Sequence, residues 1–246
     1  MPKDAATAFL HGLPGSRADL DAVLPPGSLG SRPRPTVLPP QRPALTDTWL
    51  DAHPGARLIG HSLGAWAALR AAARNPGLVG SLVLVSPAAP LPLGNFLPNM
   101  AGAPVMRAAR LGRNALGALT AVQALMLRLA PNKLVGLMHR GDDPGERALL
   151  GDARVVATRI EGLQAQLLRG RAAYLDAVTA YARDDGAWLG GLRCPVRILH
   201  GTADRWAPPA MADALAARLR VPVEWYEGLG HYGVLHEAMP RLCRES

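Results

Sequence analysis

Short apolar runs alternate with amphipathic stretches along much of this chain. Thr7 to Leu10, Pro35 to Leu38, Ala56 to Ile59, Ser81 to Val85, Pro195 to Leu199 and Val221 to Tyr226 are too short for helices. Glycine, proline or polar turns bound them, so each predicts a strand. Ser81-Leu82-Val83-Leu84-Val85 is apolar without alternation, which predicts a strand covered on both faces. Between these runs, Arg17 to Leu24, the segment after Thr46, Ala65 to Ala73, Pro208 to Leu219 and Tyr232 to Cys243 predict helices. In the second of them Thr46 is the expected cap, Trp49 and Leu50 the buried face, and His53-Pro54-Gly55 the stop. Strand alternating with helix predicts an α/β fold: a mostly parallel central sheet, right-handed crossovers and helices on both faces.

From about Leu91 to Gly190 the rhythm changes, and no strand pattern occurs. Ala103 to Arg113, Ala115 to Ala130, Gly145 to Ala157, Ile160 to Arg169 and Ala172 to Arg183 predict helices, punctuated by Pro104, Pro131 and Pro144. Residues 1–90 and 190–246 are thus expected to form the α/β core, and 91–189 an inserted all-helical lid. The insertion carries Met100, Met106, Met126 and Met138. Two readings stand for them: plain helix packing, or an apolar substrate pocket shaped by adaptable thioethers. Met100 and Met126 are the candidate pocket residues of the second reading.

At 246 residues, 49% of them hydrophobic, the chain is long enough for one large cored domain. Its mean hydropathy of +0.07 sets it apart from disordered sequences. Cys194 and Cys243 are the two cysteines, and no metal-ligand spacing occurs. Neither a disulfide framework nor a metal or other cofactor is expected, with one Cys194–Cys243 bridge left open. Met1-Pro2-Lys3-Asp4-Ala5 lacks the apolar core of a signal peptide, so a cytoplasmic location is expected. The charge-free run between Arg74 and Arg107 is interrupted by six prolines and cannot be a spanning helix.

The net charge is +8 and unevenly placed. No acidic residue lies between Asp51 and Asp142, where Arg57, Arg70, Arg74, Arg107, Arg110, Arg113, Arg128, Lys133 and Arg140 all occur. One reading is a basic surface for an anionic substrate or for peripheral contact with an anionic membrane. The other is compositional, because lysine occurs only at positions 3 and 133. No nucleic-acid partner is expected, since the cations are not interleaved with aromatics.

Gly60-His61-Ser62-Leu63-Gly64 stands between a predicted strand and a predicted helix. That spacing sets a serine on a sharp turn, with its hydroxyl projecting from the top of a sheet. Glycines two residues before and after relieve the crowding. The new helix aims free N–H groups at the space beside Ser62. Five residues alone also fit an ordinary turn, so the rest of the chain decides. Ser62, Asp204 and His231 each follow the carboxyl end of a predicted strand, and parallel strands bring those ends to one edge. Nucleophile, base and orienting acid are the groups that serine hydrolysis requires. His11-Gly12-Leu13-Pro14-Gly15-Ser16 follows the first strand, and because Pro14 lacks an N–H, Leu13 is the nearby backbone donor. His11 and His200 read as loop supports. His11 and His61, which flank the site in sequence, are further candidates for the pocket. His236 falls within a predicted helix, a poor place for the base, and Asp184 with Asp185 read as a solvated hinge.

Four segments in this order, His11 to Ser16, Gly60 to Gly64, His200 to Asp204 with Pro208, and Gly228 to His231, resemble the lidded members of the α/β-hydrolase superfamily over nearly the whole chain. The resemblance implies Ser62 as nucleophile, His231 as general base, and Asp204 as the acid that holds it. It also implies an oxyanion hole from the backbone N–H groups of Leu13 and Leu63. The family's two further N-terminal strands are not expected before His11, and Leu38-Pro39-Pro40 stands where the family often has Asp-x-x-Gly. A serine at the elbow points away from the alkyl-enzyme chemistry of family dehalogenases and epoxide hydrolases. An acyl-enzyme route to carboxylic-ester, thioester or lactone cleavage follows, with a small or medium apolar acyl substrate. Acyl transfer, C–C bond hydrolysis and non-catalytic ligand binding are the alternatives, and oligomeric state is not legible.

Overall fold

The computed structural model describes residues 5–245. Met1 to Asp4, four of the five residues read above for a signal peptide, and Ser246 lie outside the described residues.

Six strands form one sheet: β1 (Thr7–Leu10), β2 (Thr36–Leu38), β3 (Ala56–His61), β4 (Val79–Val85), β5 (Val196–Gly201) and β6 (Val223–Tyr226). Their order is β2-β1-β3-β4-β5-β6, and every neighbouring pair is parallel. Every residue of β3 is buried, as a strand with covered faces on both sides requires. Side chains alternate between two cores. Phe9, Ile59, Val83 and Leu199 face α1 (Ala18–Val23) and α11 (His231–Leu242), where Leu20, Val234 and Met239 meet them. Leu58, Leu82, Leu84 and Ile198 face the other layer, formed by α2 (Pro43–Ala52), α3 (Leu63–Arg74) and α10 (Pro209–Leu219). Helix α2 begins earlier than expected. Pro43 suits a first helical turn, so Thr46 lies inside the helix and buried rather than at its cap.

Between β4 and β5 the chain forms helices joined by short loops, with no strand among the described residues. It comprises α4 (Ala103–Leu111), α5 (Arg113–Leu129), α6 (Pro131–Met138), α7 (Pro144–Leu149), α8 (Ala153–Gln164) and α9 (Arg171–Ala182). Pro131 does separate two helices, as expected, and is the first residue of α6, which the sequence pattern had not marked. The helix expected from Gly145 to Ala157 is two helices, because Asp152 caps a new one by accepting from the Arg154 N–H at 2.8 Å. Leu116, Leu127, Leu163 and Tyr174 of this helical stretch join the same core as Trp66 and Leu69 of α3.

Asp184 corrects the hinge reading. It is 6% exposed and accepts from Trp66 Nε1, Arg70 Nη1, Trp188 Nε1 and the Gly186 N–H. Burial alone pushes its carboxyl up, but these four donors hold it below the ordinary value. Asp185 stays exposed. Cys194 and Cys243 are free thiols. No helix among the described residues is long and apolar enough to cross a membrane.

Candidate active site

Ser62 sits between β3 and α3 with φ 56° and ψ −124°. A non-glycine residue held at positive φ costs on the order of 1–3 kcal/mol and persists only where its surroundings fix it. Here the Ser62 N–H donates to the Val85 carbonyl at 3.1 Å, and the Ser62 carbonyl accepts from Ala65 at 3.0 Å and Ala88 at 3.1 Å. The flanking glycines are required by backbone approach. A Cβ at Gly60 would lie 2.5 Å from Ala65 Cα, and one at Gly64 2.1 Å from the Leu10 carbonyl oxygen. The start of α3 is thereby pressed onto the end of β1. The N–H groups of Leu13 and Leu63 have no hydrogen-bond partner among the described residues.

Asp204 lies just past β5 and is buried. Its Oδ1 accepts from the N–H groups of Trp206 at 2.8 Å and Ala207 at 2.9 Å. His231 Nδ1–H donates to Asp204 Oδ2 at 2.7 Å, which leaves Nε2 without a proton. His200 braces the same turn, donating from Nε2 to the Ala207 carbonyl at 2.8 Å. Burial holds the His231 imidazole far below its ordinary value, with the charges of Arg159 and His139 acting in the same direction and Asp142 and Asp19 opposing. The ring is therefore neutral at pH 7 and able to accept a proton. Burial pushes the Asp204 carboxyl up, against the His200 ring and the two N–H donors.

Ser62 and His231 line one small cavity of about 30 Å³, room for one or two waters. Gly12, Leu13, His139 and Arg159 share its wall. A second cavity of about 60 Å³ also touches Ser62 and Leu13 and runs between Leu63, Met100, Met106 and Leu167. Ser62 thus stands where a polar branch meets an apolar one. Of the expected pocket residues, Met100 lines the apolar branch, while Met126 packs half-buried on the core and lines neither. His11 and His61 are buried and line neither. His11 donates to the Gly12 carbonyl at 2.8 Å, and His61 Nε2 donates to the His231 carbonyl at 3.3 Å.

Other residues of this site were not found from the sequence. Glu146 of α7 is buried, and its carboxylate accepts from the N–H groups of Tyr232 at 2.7 Å and Gly233 at 3.1 Å. It caps the helix that His231 begins. Burial pushes its carboxyl up to about 7. His139 donates to Asp142 at 2.6 Å beside Trp206. Arg159 of α8 pairs with Asp19 of α1 and lies 3.7 Å from the Tyr232 ring centroid. One signal was readable: Trp206, which lines both branches, follows Asp204 by two residues. Among the described residues, no cluster of three or more His, Cys, Asp or Glu side chains is arranged to hold a metal ion.

A family model described as the alpha/beta hydrolase family matches residues 7–245. No curated protein sequence matches this one. Among solved structures, an alpha/beta hydrolase fold protein from Nakamurella multipartita is 20% identical, with a TM-score of 0.60 over 98% of this chain and 93% of that one. A hydrolase from Oleispira antarctica is 12% identical, with a TM-score of 0.61 over 99% and 92%. A serine hydrolase from the polyaromatic-hydrocarbon-degrading Cycloclasticus zankles is 15% identical, with a TM-score of 0.56 over 98% and 89%. At these identities the likeness is one of fold.

Proposed function

Since the chain belongs to the alpha/beta hydrolase family, we propose that it is a serine hydrolase that cleaves a carboxylic ester through an acyl-enzyme on Ser62. The observation that carries this reading is the Asp204–His231 hydrogen bond beside a serine held at positive φ, with serine and histidine on one cavity wall.

In this reading Ser62 Oγ attacks the ester carbonyl while His231 Nε2 takes its proton. Asp204 keeps Nδ1 protonated and stabilises the imidazolium that forms. The unpartnered N–H groups of Leu13 and Leu63 receive the developing oxyanion, each worth about 3–4 kcal/mol of barrier in comparable sites. His231 returns the proton to the leaving alkoxide, and then activates the water that attacks the acyl-enzyme. No hydrogen bond joins Ser62 to His231, and catalytic contacts of this kind often tighten only with substrate bound. The helices of residues 91–189 act as a lid that excludes bulk water, and the Met100 branch takes an apolar part of the substrate. The test is turnover of p-nitrophenyl butanoate. Ser62→Ala should abolish it with the far-ultraviolet circular dichroism intact, and unchanged turnover would refute the reading.

A further inference from the structure

Arg159 is a buried cation in the wall of the reaction cavity. Its side chain is 6% exposed, and it lines the same cavity as Ser62 and His231. It is fixed on two sides. Nη2 donates to Asp19 Oδ1 at 2.5 Å, and the guanidinium carbon stands 3.7 Å from the Tyr232 ring centroid. Asp19 is itself fixed, since its Oδ2 accepts from the Ser16 N–H at 2.9 Å. Helix α8 is also locked to the loop before Ser16. Gly162 lies so close that a Cβ there would come within 2.9 Å of Gly15 Cα, and in the π-helical turn that follows α8, Ala165–Arg169, Gln166 Nε2 donates to the Gly15 carbonyl at 2.7 Å.

The guanidinium is held firmly but used sparingly. It carries five N–H donors, and the bond to Asp19 is the one it makes among the described residues. Nε is buried with no acceptor. Buried donors without partners are costly and call for an explanation. The apolar branch, which also touches Ser62, offers no charged side chain.

We propose that Arg159 forms an anion subsite, and that the substrate is an ester bearing a carboxylate on one side of the scissile bond and an apolar chain on the other. The carboxylate lodges in the branch lined by Arg159, His139 and Tyr232, and the chain in the branch lined by Met100, Met106 and Leu167. Arginine suits a carboxylate because its planar donors match the two oxygens. This deepens the hydrolase reading and rests on it for the position of the scissile bond only.

The experiment measures binding separately from turnover. Two isomeric probes are used on the Ser62→Ala protein by calorimetry: monobutyl succinate, with its carboxylate on the acyl side, and 4-(butanoyloxy)butanoate, with it on the alcohol side. Each is compared with its own methyl ester. At least one acid should bind tenfold or more tightly than its ester, and adding Arg159→Gln should bring that ratio close to one. Because Arg159→Gln strands the Asp19 carboxylate, the double change Asp19→Asn with Arg159→Gln is measured as well, and should also lose the preference. Acids that bind no better than their esters overturn the subsite, as does a preference that survives both substitutions. Turnover of the same compounds by the unaltered protein reports on the hydrolase reading. Cleavage without acid preference would sink the subsite alone, and acid-selective binding without cleavage would sink the hydrolase alone.

Discussion

Ser62 concentrates the local physics of this site. Its positive φ goes with close backbone contacts at Gly60 and Gly64, so five residues of sequence marked a sharp turn, and Asp204, His231 and the Leu13 loop were needed to tell it from an ordinary one. Asp204 and His231 stood out for a related reason, since each lies on the loop that follows a strand, at the edge where parallel strands end. Arg159 and Glu146 were not legible, because their partners lie 140 and 86 residues away and nothing local announces them. The electrostatics of His231 give a pH prediction. Activity requires the neutral ring, and burial lowers its folded-state value, so the acid limb of kcat/KM should lie below 6.5. Arg159→Gln removes a cation that lowers it and should move the limb upward; a limb at or above 6.5 in the unaltered protein would contradict this. Asp204→Asn should cut kcat about 10³–10⁴-fold, because the amide no longer secures the Nδ1–H tautomer.

Among the elements, the junction of α7 with α11 matters most. Glu146 closes the N-terminus of the helix whose first residue is His231. Its folded-state value of about 7 stands above the ordinary 4.5. The folded protein therefore binds this proton more tightly than the unfolded chain. The stability it confers is present below pH 4.5 and is lost as pH rises toward 7, by up to roughly 3 kcal/mol. Denaturant titrations should show this decline, and Glu146→Gln should flatten it; an identical decline in the variant would assign it elsewhere. At the start of α3, Gly64→Ala would drive a methyl into the Leu10 and His11 carbonyls, 2.1 and 2.4 Å away. A loss of several kcal/mol or failure to fold should follow. Element boundaries were the less legible part of the sequence. Pro43 and Pro131 begin helices here, and proline in sequence marks a helix start and a helix break alike.

At the scale of the whole molecule, the strand–helix rhythm gave away the parallel sheet, because its period belongs to the backbone. How the helices of residues 91–189 settle on the sheet was hidden, since that depends on distant side chains. Asp184 is the clearest instance: it ties the end of this helical stretch to Trp66 and Arg70 of α3. Asp184→Ala should strand those donors and cost on the order of 3 kcal/mol. That is roughly a 6–12 °C fall in Tm for a chain of this size; an unchanged Tm would contradict the role. The basic stretch also looks different in the fold. Arg57 donates to the Leu242 carbonyl, and Arg70, Arg74 and Arg113 pair with Asp184, Asp47 and Asp176, so part of that charge has structural work.

If Ser62 is an activated nucleophile, a fluorophosphonate should label it covalently, and peptide mass spectrometry maps the adduct. A single adduct should form on Ser62, be absent from Ser62→Ala and form at least a hundredfold more slowly in His231→Ala. A folded protein that takes no label, or takes it on another residue, would contradict it.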